Sequence, residues 1–354
     1  MIRAGKLFDQ VRDRMYFVDM AETVETKSRA NRWLGKAGFW MMPVCWPFVG
    51  TAMIFTGIAA LSLENWIPDI FTNFYAQYFI LELAFCLALT LAGRRWQALS
   101  VAPFLAICLA KIVFLYIPEA SRASASSKFA TESRLGILQI NLNSKNRSYD
   151  LVKKCIGRYS PDIILLEEVD KGWAEQSRYW LERGYKIAGE SVREDNFGII
   201  VMSRLPVLES RMVTIGYMRL PAVTATLEKG GKKFSFIGAH VFPPISEHYF
   251  RERNLQYNEI ALHKRNLSKS LIIAGDMNTS AWSPYFSELL RNSGLKDSAR
   301  GFGLQATWPQ FLGPFGIGID HCLVSDDFKV LRRETGPNVG SDHLPLFVEL
   351  GIEK

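Results

Sequence analysis

The 354-residue chain carries no CxxC pair, no GxSxG elbow, no glycine-rich phosphate loop, no long basic run and no internal repeat. Each absence closes a route. Five cysteines without ligand spacing give neither a zinc site nor a disulfide framework. Cys45, Cys86 and Cys108 fall among apolar residues, and Cys155 and Cys322 stand far apart and read as buried thiols rather than a bridge. No serine or cysteine sits in a nucleophile motif, so covalent acyl or thiol chemistry has no starting point. The net charge of +7 does not announce nucleic acid, because it splits as +3 before residue 39, zero over 39–118 and +4 after that.

Charge is scarcest in residues 39–118. Three stretches there, Phe39–Leu63, Phe71–Leu91 and Trp96–Ile117, are almost wholly apolar, with Glu82 and Lys111 the charges inside them. A helix needs about 20 residues to cross the hydrocarbon of a bilayer. Each stretch qualifies, and none keeps the polar face a soluble bundle would need. Three membrane spans are therefore expected, with Pro43, Pro47 and Pro103 tolerated inside them and Trp66, Trp96 and Tyr116 at their ends.

Orientation follows from the basic residues. The leader, residues 1–38, holds eight Lys and Arg against five acids and reads equally as a surface-lying helix or as solvated chain. The first loop has no Lys or Arg, whereas the second turn carries Arg94 and Arg95. The positive-inside rule then puts the N-terminus in the cytoplasm and everything after residue 118 outside it. The expected product is a multi-pass protein of the cell membrane with an extracytoplasmic domain. For Glu82 an interhelical hydrogen bond is expected. Residues 119–134 form a Ser/Ala-rich linker, and a separate domain fills 135–354.

That domain alternates strands and helices. Strands are expected at Gly136–Leu142, Pro161–Leu166, Phe197–Ser203, Ala222–Leu227, Phe234–His240, from Leu271, at Ile319–Ser325 and at Leu344–Leu350. Helices are expected at Tyr149–Arg158, Trp173–Arg183, Glu247–Asn266 and Ser283–Asn292. The mixture predicts an α/β domain with two packed sheets and helices outside.

Polar residues recur where these strands end. In LIIAGDMNTS, Asp276 and Asn278 stand two apart and so leave the strand on one side, a carboxylate able to orient or deprotonate water beside a carboxamide able to hold the attacked oxygen. Asn141 and Asn143 end QINLN in the same way, Glu167 and Glu168 end DIILL, and His240 ends SFIGAH. Asp320 and His321 follow GIGI, and Ser341, Asp342 and His343 precede the last strand. One such strand end is usually a cap or a turn. Six together, rich in oxygen donors and histidine, fit attack by water on a phosphate ester with help from a hard divalent cation.

The motifs PDIILLEEV, NFGIIVMSRLPV, GAH, RNLQ at Arg253–Gln256, GDMN, GIDH and GSDHLPL resemble, in order and spacing, those of the endonuclease/exonuclease/phosphatase superfamily over roughly residues 135–352. The apolar block before them resembles a membrane-anchored bacterial type. The resemblance implies a four-layer α/β/β/α sandwich and a phosphoesterase using Mg²⁺, with Mn²⁺ able to substitute. It also implies roles. Glu168, with Asn143 and Asp342, would hold the metal. Asp276, Asn278, His343, Asp320 and His240 would carry the catalysis. Asn141 would lie on the substrate side, as would Asn196 and Arg204 at the two ends of FGIIVMSR. Two positions depart from the pattern: Glu167 stands where glutamine is usual, adding charge or an alternative ligand, and Asn143 where several members have aspartate.

The expected partners are the bilayer and a phosphate-ester substrate. The aromatics of Gly301–Gly318, a linker that keeps the domain near the bilayer, and a modest +4 favour a lipid-linked phosphate, pyrophosphate or phospholipid. An extracytoplasmic nuclease and an inactive binding module on the same fold are the alternatives.

Overall fold

The computed structural model describes residues 46–61, 65–119, 129–264 and 267–353. The leader and most of the linker lie outside them. The chain separates into two compact units, Met1–Gly57 with Tyr78–Ile107, and Ile58–Gln77 with Cys108–Lys354.

Four apolar helices come first: α1 (Trp46–Ala60), α2 (Trp66–Thr72), α3 (Tyr75–Leu91) and α4 (Arg95–Tyr116). Among the described residues α4 alone is a single helix long and apolar enough to span, with Pro103 inside it. The second expected span is broken. Helices α2 and α3 meet at 66°, and together they would make one further broken or re-entrant crossing. The break has a local cause, since Asp69 and Asn73 are buried polar residues bonded elsewhere in their unit. For the first expected span, residues 39–45 lie outside the described set, and α1 falls below eighteen residues. Within the first unit, Val49, Phe85, Leu89, Ala98 and Val101 form an apolar cluster. Glu82 accepts from Thr56 Oγ1 at 2.9 Å, the interhelical bond expected of it.

The second unit continues with β1 (Arg134–Asn141), α5 (Tyr149–Tyr159), β2 (Ile163–Glu167), α6 (Lys171–Ser177), β3 (Lys186–Ser191), β4 (Ile199–Ser203), β5 (Val207–Ile215), β6 (Leu220–Lys229) and β7 (Lys232–Ala239). After these come α7 (Glu247–His263), β8 (Leu271–Asp276), α8 (Pro284–Ser293), β9 (Lys296–Asp297), β10 (Asp320–Val324), β11 (Phe328–Thr335) and β12 (Leu346–Ile352). Strands β3, β5, β9 and β11 were not expected. All four are edge strands, and β5, with its exposed mid-strand charges, also lacks a clean apolar alternation.

Two six-stranded mixed sheets result, ordered β11-β12-β1-β2-β4-β3 and β5-β6-β7-β8-β10-β9. Leu135, Ile137, Leu165 and Val348 of the first sheet meet Phe234, Phe236, Ile272 and Ala274 of the second in one core. On the outer face of the first sheet, Leu138, Ile140 and Leu166 pack on Val152 and Ile156 of α5 and on Trp173 of α6. On the outer face of the second, Ile237, Ile273 and Leu323 pack on Tyr257 and Ile260 of α7 and Phe286 of α8. The layers are α/β/β/α. Cys155, on helix α5, and Cys322, on strand β10, are free buried thiols, both pushed up to about 12, by burial above all.

A period of two explains where the polar residues go. On the inner face, β1 reads Leu135, Ile137, Gln139, Asn141, and β2 reads Ile163, Leu165, Glu167. Strand β7 continues Phe234, Phe236 and Gly238 into His240, β8 reads Ile272, Ala274, Asp276, and β10 run backwards reads Val324, Cys322, Asp320. Five inner faces are apolar at one end and polar at the same other end. The inter-sheet core stops there, and the candidate site begins.

Candidate active site

Strand pairing sets the positions. Asn141 pairs with Glu167 across β1 and β2, and Asp320 pairs with Asp276 across β10 and β8. Four residues at the rim, Asn143, Glu168, Asn196 and Asn278, have positive φ between 48° and 66°. For side-chain-bearing residues that region is sparsely used, and strain of this kind collects where a side chain must be aimed. Gly275 is forced: at its φ of 152° a Cβ would lie 1.8 Å from the Ala239 carbonyl oxygen.

Asp276 is buried at the centre. Its Oδ1 accepts from Asn278 N at 2.8 Å and its Oδ2 from Asn141 Nδ2 at 3.3 Å. His240 Nε2 and His343 Nε2 each stand 3.7 Å from Oδ2. His343 Nδ1 bonds Asp320 Oδ2 at 3.0 Å. Burial, and then the charge of Asp320, push Asp276 up to about 8. Burial also raises Asp320, but the charge and hydrogen bond of His343 outweigh it and hold Asp320 below the usual carboxylate range. Burial works against a charged His343, yet Asp320, Asp276 and Asp342 together carry it up to about 10. His240 goes the other way, to about 3, through burial and the neighbouring charge of His343. At neutral pH one histidine is an imidazolium and the other a neutral ring.

Glu168 Oε1 accepts from Asn141 Nδ2 at 3.2 Å and its Oε2 from Ser144 N at 3.1 Å, while burial raises its carboxyl above the ordinary value. Asn143 Nδ2 donates to Asp342 Oδ1 at 2.8 Å, and its own Oδ1 accepts from Lys145 N, so it orients Asp342 with one oxygen lone pair already committed. Oxygen donors from Glu168, Asn143 and Asp342, beside carboxylates that burial makes reluctant to ionise, fit a hard divalent cation. Asp276, Asp320 and His343 also lie within 4.8 Å of one another. A protonated His343 offers no lone pair, so that trio is better read as a hydrogen-bonded relay than as a cage.

Asn196 also lines the cleft, where Ser144 Oγ donates to its Oδ1. Arg204 does not join the others. It follows the end of β4 opposite to Ile199, over the Tyr185 ring and bonded to Ser160 Oγ at 2.8 Å. His321, next to Asp320 on a strand, faces away and meets Thr279 O at 2.9 Å. Glu167 is fully buried and already engaged: it accepts from Asp276 N at 2.8 Å and Gln139 Nε2 at 3.0 Å, and burial raises it well above the ordinary value.

Sequence reasoning gave no site role to several residues that the structure places in the network. Gln139 bridges Glu167 and Asp320 Oδ1, the latter at 2.8 Å. Its signal was present, since Gln139, Asn141 and Asn143 stand two apart. Ser341 Oγ donates to Asn141 O at 2.8 Å and accepts from His343 N at 3.0 Å. Trp308 Nε1 donates to Asp342 Oδ2 at 3.1 Å. Around these polar groups a cleft of about 570 Å³ is walled by apolar residues, Phe197, Phe242, Ile245 and Tyr249 among them. Of the other aromatics in the 301–318 loop, Phe302 packs against the inter-sheet core, whereas Phe311 and Phe315 are exposed.

The Endonuclease/Exonuclease/phosphatase family model matches residues 138–343. No curated protein matches the chain significantly. Among solved structures, the human Nocturnin catalytic domain with bound sulfate is similar at 19% identity and a TM-score of 0.52, over 62% of this chain and 95% of that one. A Bacteroides vulgatus endonuclease/exonuclease/phosphatase is similar at 19% and 0.53, over 62% and 99%. Zebrafish (D. rerio) TDP2 complexed with single-strand DNA product is similar at 17% and 0.50, over 62% and 99%. Identities this low speak for a shared fold alone.

Proposed function

The chain belongs to the endonuclease/exonuclease/phosphatase family and is a metal-dependent hydrolase of phosphate ester bonds, and from that premise we propose that it hydrolyses a lipid-borne phosphate ester or anhydride at the outer face of the cell membrane. The observation that carries the substrate is the cleft. Its floor is catalytic, its walls are largely apolar, and among the described residues no Lys or Arg lines it. A phosphate ester joined to an apolar group fits both halves.

In this reading Asp276 orients and deprotonates the attacking water, with Asn278 beside the attacked phosphate. The imidazolium of His343, held by Asp320, meets a phosphate oxygen, and neutral His240 is a second contact. Magnesium, with manganese able to replace it, would be held by Glu168, Asn143 and Asp342 and would polarise a phosphoryl oxygen when bound. Helix α4, at about 1.5 Å per residue, reaches about 33 Å, enough for one crossing. The basic leader and Arg94–Arg95, through the positive-inside rule, support a catalytic unit outside the cytoplasm. Exposed Phe311 and Phe315 suit an interfacial position.

A nuclease reading has one observation behind it, the DNA product in the similar zebrafish TDP2. A nucleic-acid cleft neutralises phosphates with Lys and Arg. Here the cleft lining brings Glu168, Asp195, Asp276 and Asp342 instead. The test is hydrolysis by the detergent-solubilised full chain of undecaprenyl pyrophosphate, phospholipids, and single- and double-stranded DNA, with and without Mg²⁺. Lipid turnover that needs the metal is expected. Salt-sensitive DNA cleavage without lipid turnover would replace this reading with the nuclease.

A further inference from the structure

Residues 65–77 precede the family region 138–343, yet they belong to the same compact unit as the catalytic residues. They are fastened there at several points. Asp69 and Arg253, both fully buried, pair at 2.7 Å, and Ser283 Oγ donates to Asp69 Oδ1 at 2.5 Å. Ser280 N donates to Asn73 Oδ1 at 2.8 Å, and Trp66 Nε1 to Pro244 O at 2.6 Å. Gln77 Nε2 bonds the Phe315 carbonyl at 2.8 Å. A buried ion pair is costly unless both partners stay in place, so this pair is a position lock. Arg253, the arginine of RNLQ, also reaches toward the carbonyl of the site residue Asn278, at 3.5 Å.

What the lock positions is a stretch of cleft wall. Ile70, Asn73 and Phe74 line the same cleft as Glu168, Asp276 and His343. Ile70 and Phe74 are half-buried, with apolar surface left to meet a ligand. We propose that residues 65–77 are a specificity element of the active site, in which Ile70 and Phe74 bind the apolar group of the substrate and the Asp69–Arg253–Ser283 cluster positions them. The inference rests on the proposed preference for an apolar phosphate ester and adds which residues select it. Asp69 and Arg253 act through the wall and touch no reacting atom.

The test uses the full chain in detergent with a series of alkyl p-nitrophenyl phosphates, methyl to hexyl, below their own aggregation concentrations. If the wall buries the chain, kcat/KM should rise by up to about fourfold per methylene in the wild type. In Ile70→Ala and Phe74→Ala the hexyl-to-methyl ratio should fall at least fivefold, mainly through KM. Ile67→Ala, an exposed residue of α2 outside the cleft, should keep the wild-type ratio. A wild-type preference that survives in both lining variants overturns this inference and leaves the apolar-substrate reading standing. A wild type with no preference overturns both. Equal loss of the ratio in Ile67→Ala would assign the effect to α2 stability and defeat the direct contact.

Discussion

The two ends of the inter-sheet core are built from the same strands and do opposite work. At one end the inner faces carry Leu135, Ile163, Phe234 and Phe236, fully buried or nearly so, with no polar side chain among them. Four to six residues along, the same faces carry Asn141, Glu167, His240 and Asp276, almost as well buried. Burial is equal, so burial does not separate core from site. What separates them is that the polar groups at the second end are mostly matched to one another, with His240 Nδ1 and Gln139 Oε1 left over, and matching costs geometric freedom. One end is held together by area and tolerates exchange of similar volumes. The other depends on particular atoms at particular distances.

The sharpest break of that comparison is a pair of substitutions. Asp276→Asn should lower kcat by at least about 10²-fold, the scale of a general base, while melting stays close to wild type. Phe236→Ala should do the reverse, costing about 3–5 kcal/mol in unfolding free energy with the kcat of the folded fraction little altered. Activity titrated against denaturation curves reads both. An Asp276→Asn enzyme with wild-type turnover would remove Asp276 from the chemistry.

Within the polar end, two histidines at the same 3.7 Å from one carboxylate oxygen differ in protonation, because burial and then the positive charge of His343 lower His240, whereas at His343 the carboxylates, Asp320 above all, overcome burial. His343→Ala should therefore cost about 10²-fold or more in kcat, and His240→Ala less, through substrate binding. Equal losses in kcat would mean that both rings move protons.

Two adjacent glutamates give a smaller contrast. Glu168→Gln should raise the Mg²⁺ concentration for half-maximal activity, since it removes a ligand charge. Glu167→Gln with its amide nitrogen turned toward Gln139 Nε2 leaves a buried donor without its acceptor, a stability loss of about 1–3 kcal/mol. Its Mg²⁺ dependence should stay near that of wild type. If both variants shift the metal titration alike, the carboxylates share the ion.

The inner-face pattern was legible in the chain wherever a strand was strongly apolar, and so Asn141, Glu168, His240, Asp276, Asp320 and His343 could be named from strand ends alone. Arg204 misled because it ends the right strand at the wrong end, and strand direction within a sheet is not written in one strand's sequence. Gln139 and Ser341 act within the buried network, where their worth depends on partners over a hundred residues away. The wall at Ile70 and Phe74 was hidden by its composition. Phe74 sits at the start of a stretch that reads as membrane span and Ile70 in the loop before it, and the polar residues beside them, Asp69 and Asn73, declare themselves only once Arg253 and Ser280 are in place.

The finest test of the two histidines is a slope in pH, read on metal-free protein by chemical denaturation. His343 is raised in the folded state from about 6.5 to about 10, so its stabilisation is fully present below pH 6.5 and disappears as pH climbs through 10. His240 is lowered to about 3, so between pH 6.5 and 3 the unfolded chain binds a proton that the folded chain refuses, and stability drains on acidification. Asp276, raised to about 8, also loses stabilisation as pH rises, so the wild-type curve alone mixes the three. Differences against variants separate them. The wild-type advantage over His343→Gln should shrink from pH 6.5 to 10, and that over His240→Gln from pH 6.5 down to 3. Neither slope should exceed about 1.4 kcal/mol per pH unit, the limit for one proton. Advantages that shrink in the same direction would show the rings to share one protonation state, and the asymmetry imposed by Asp320 would be gone.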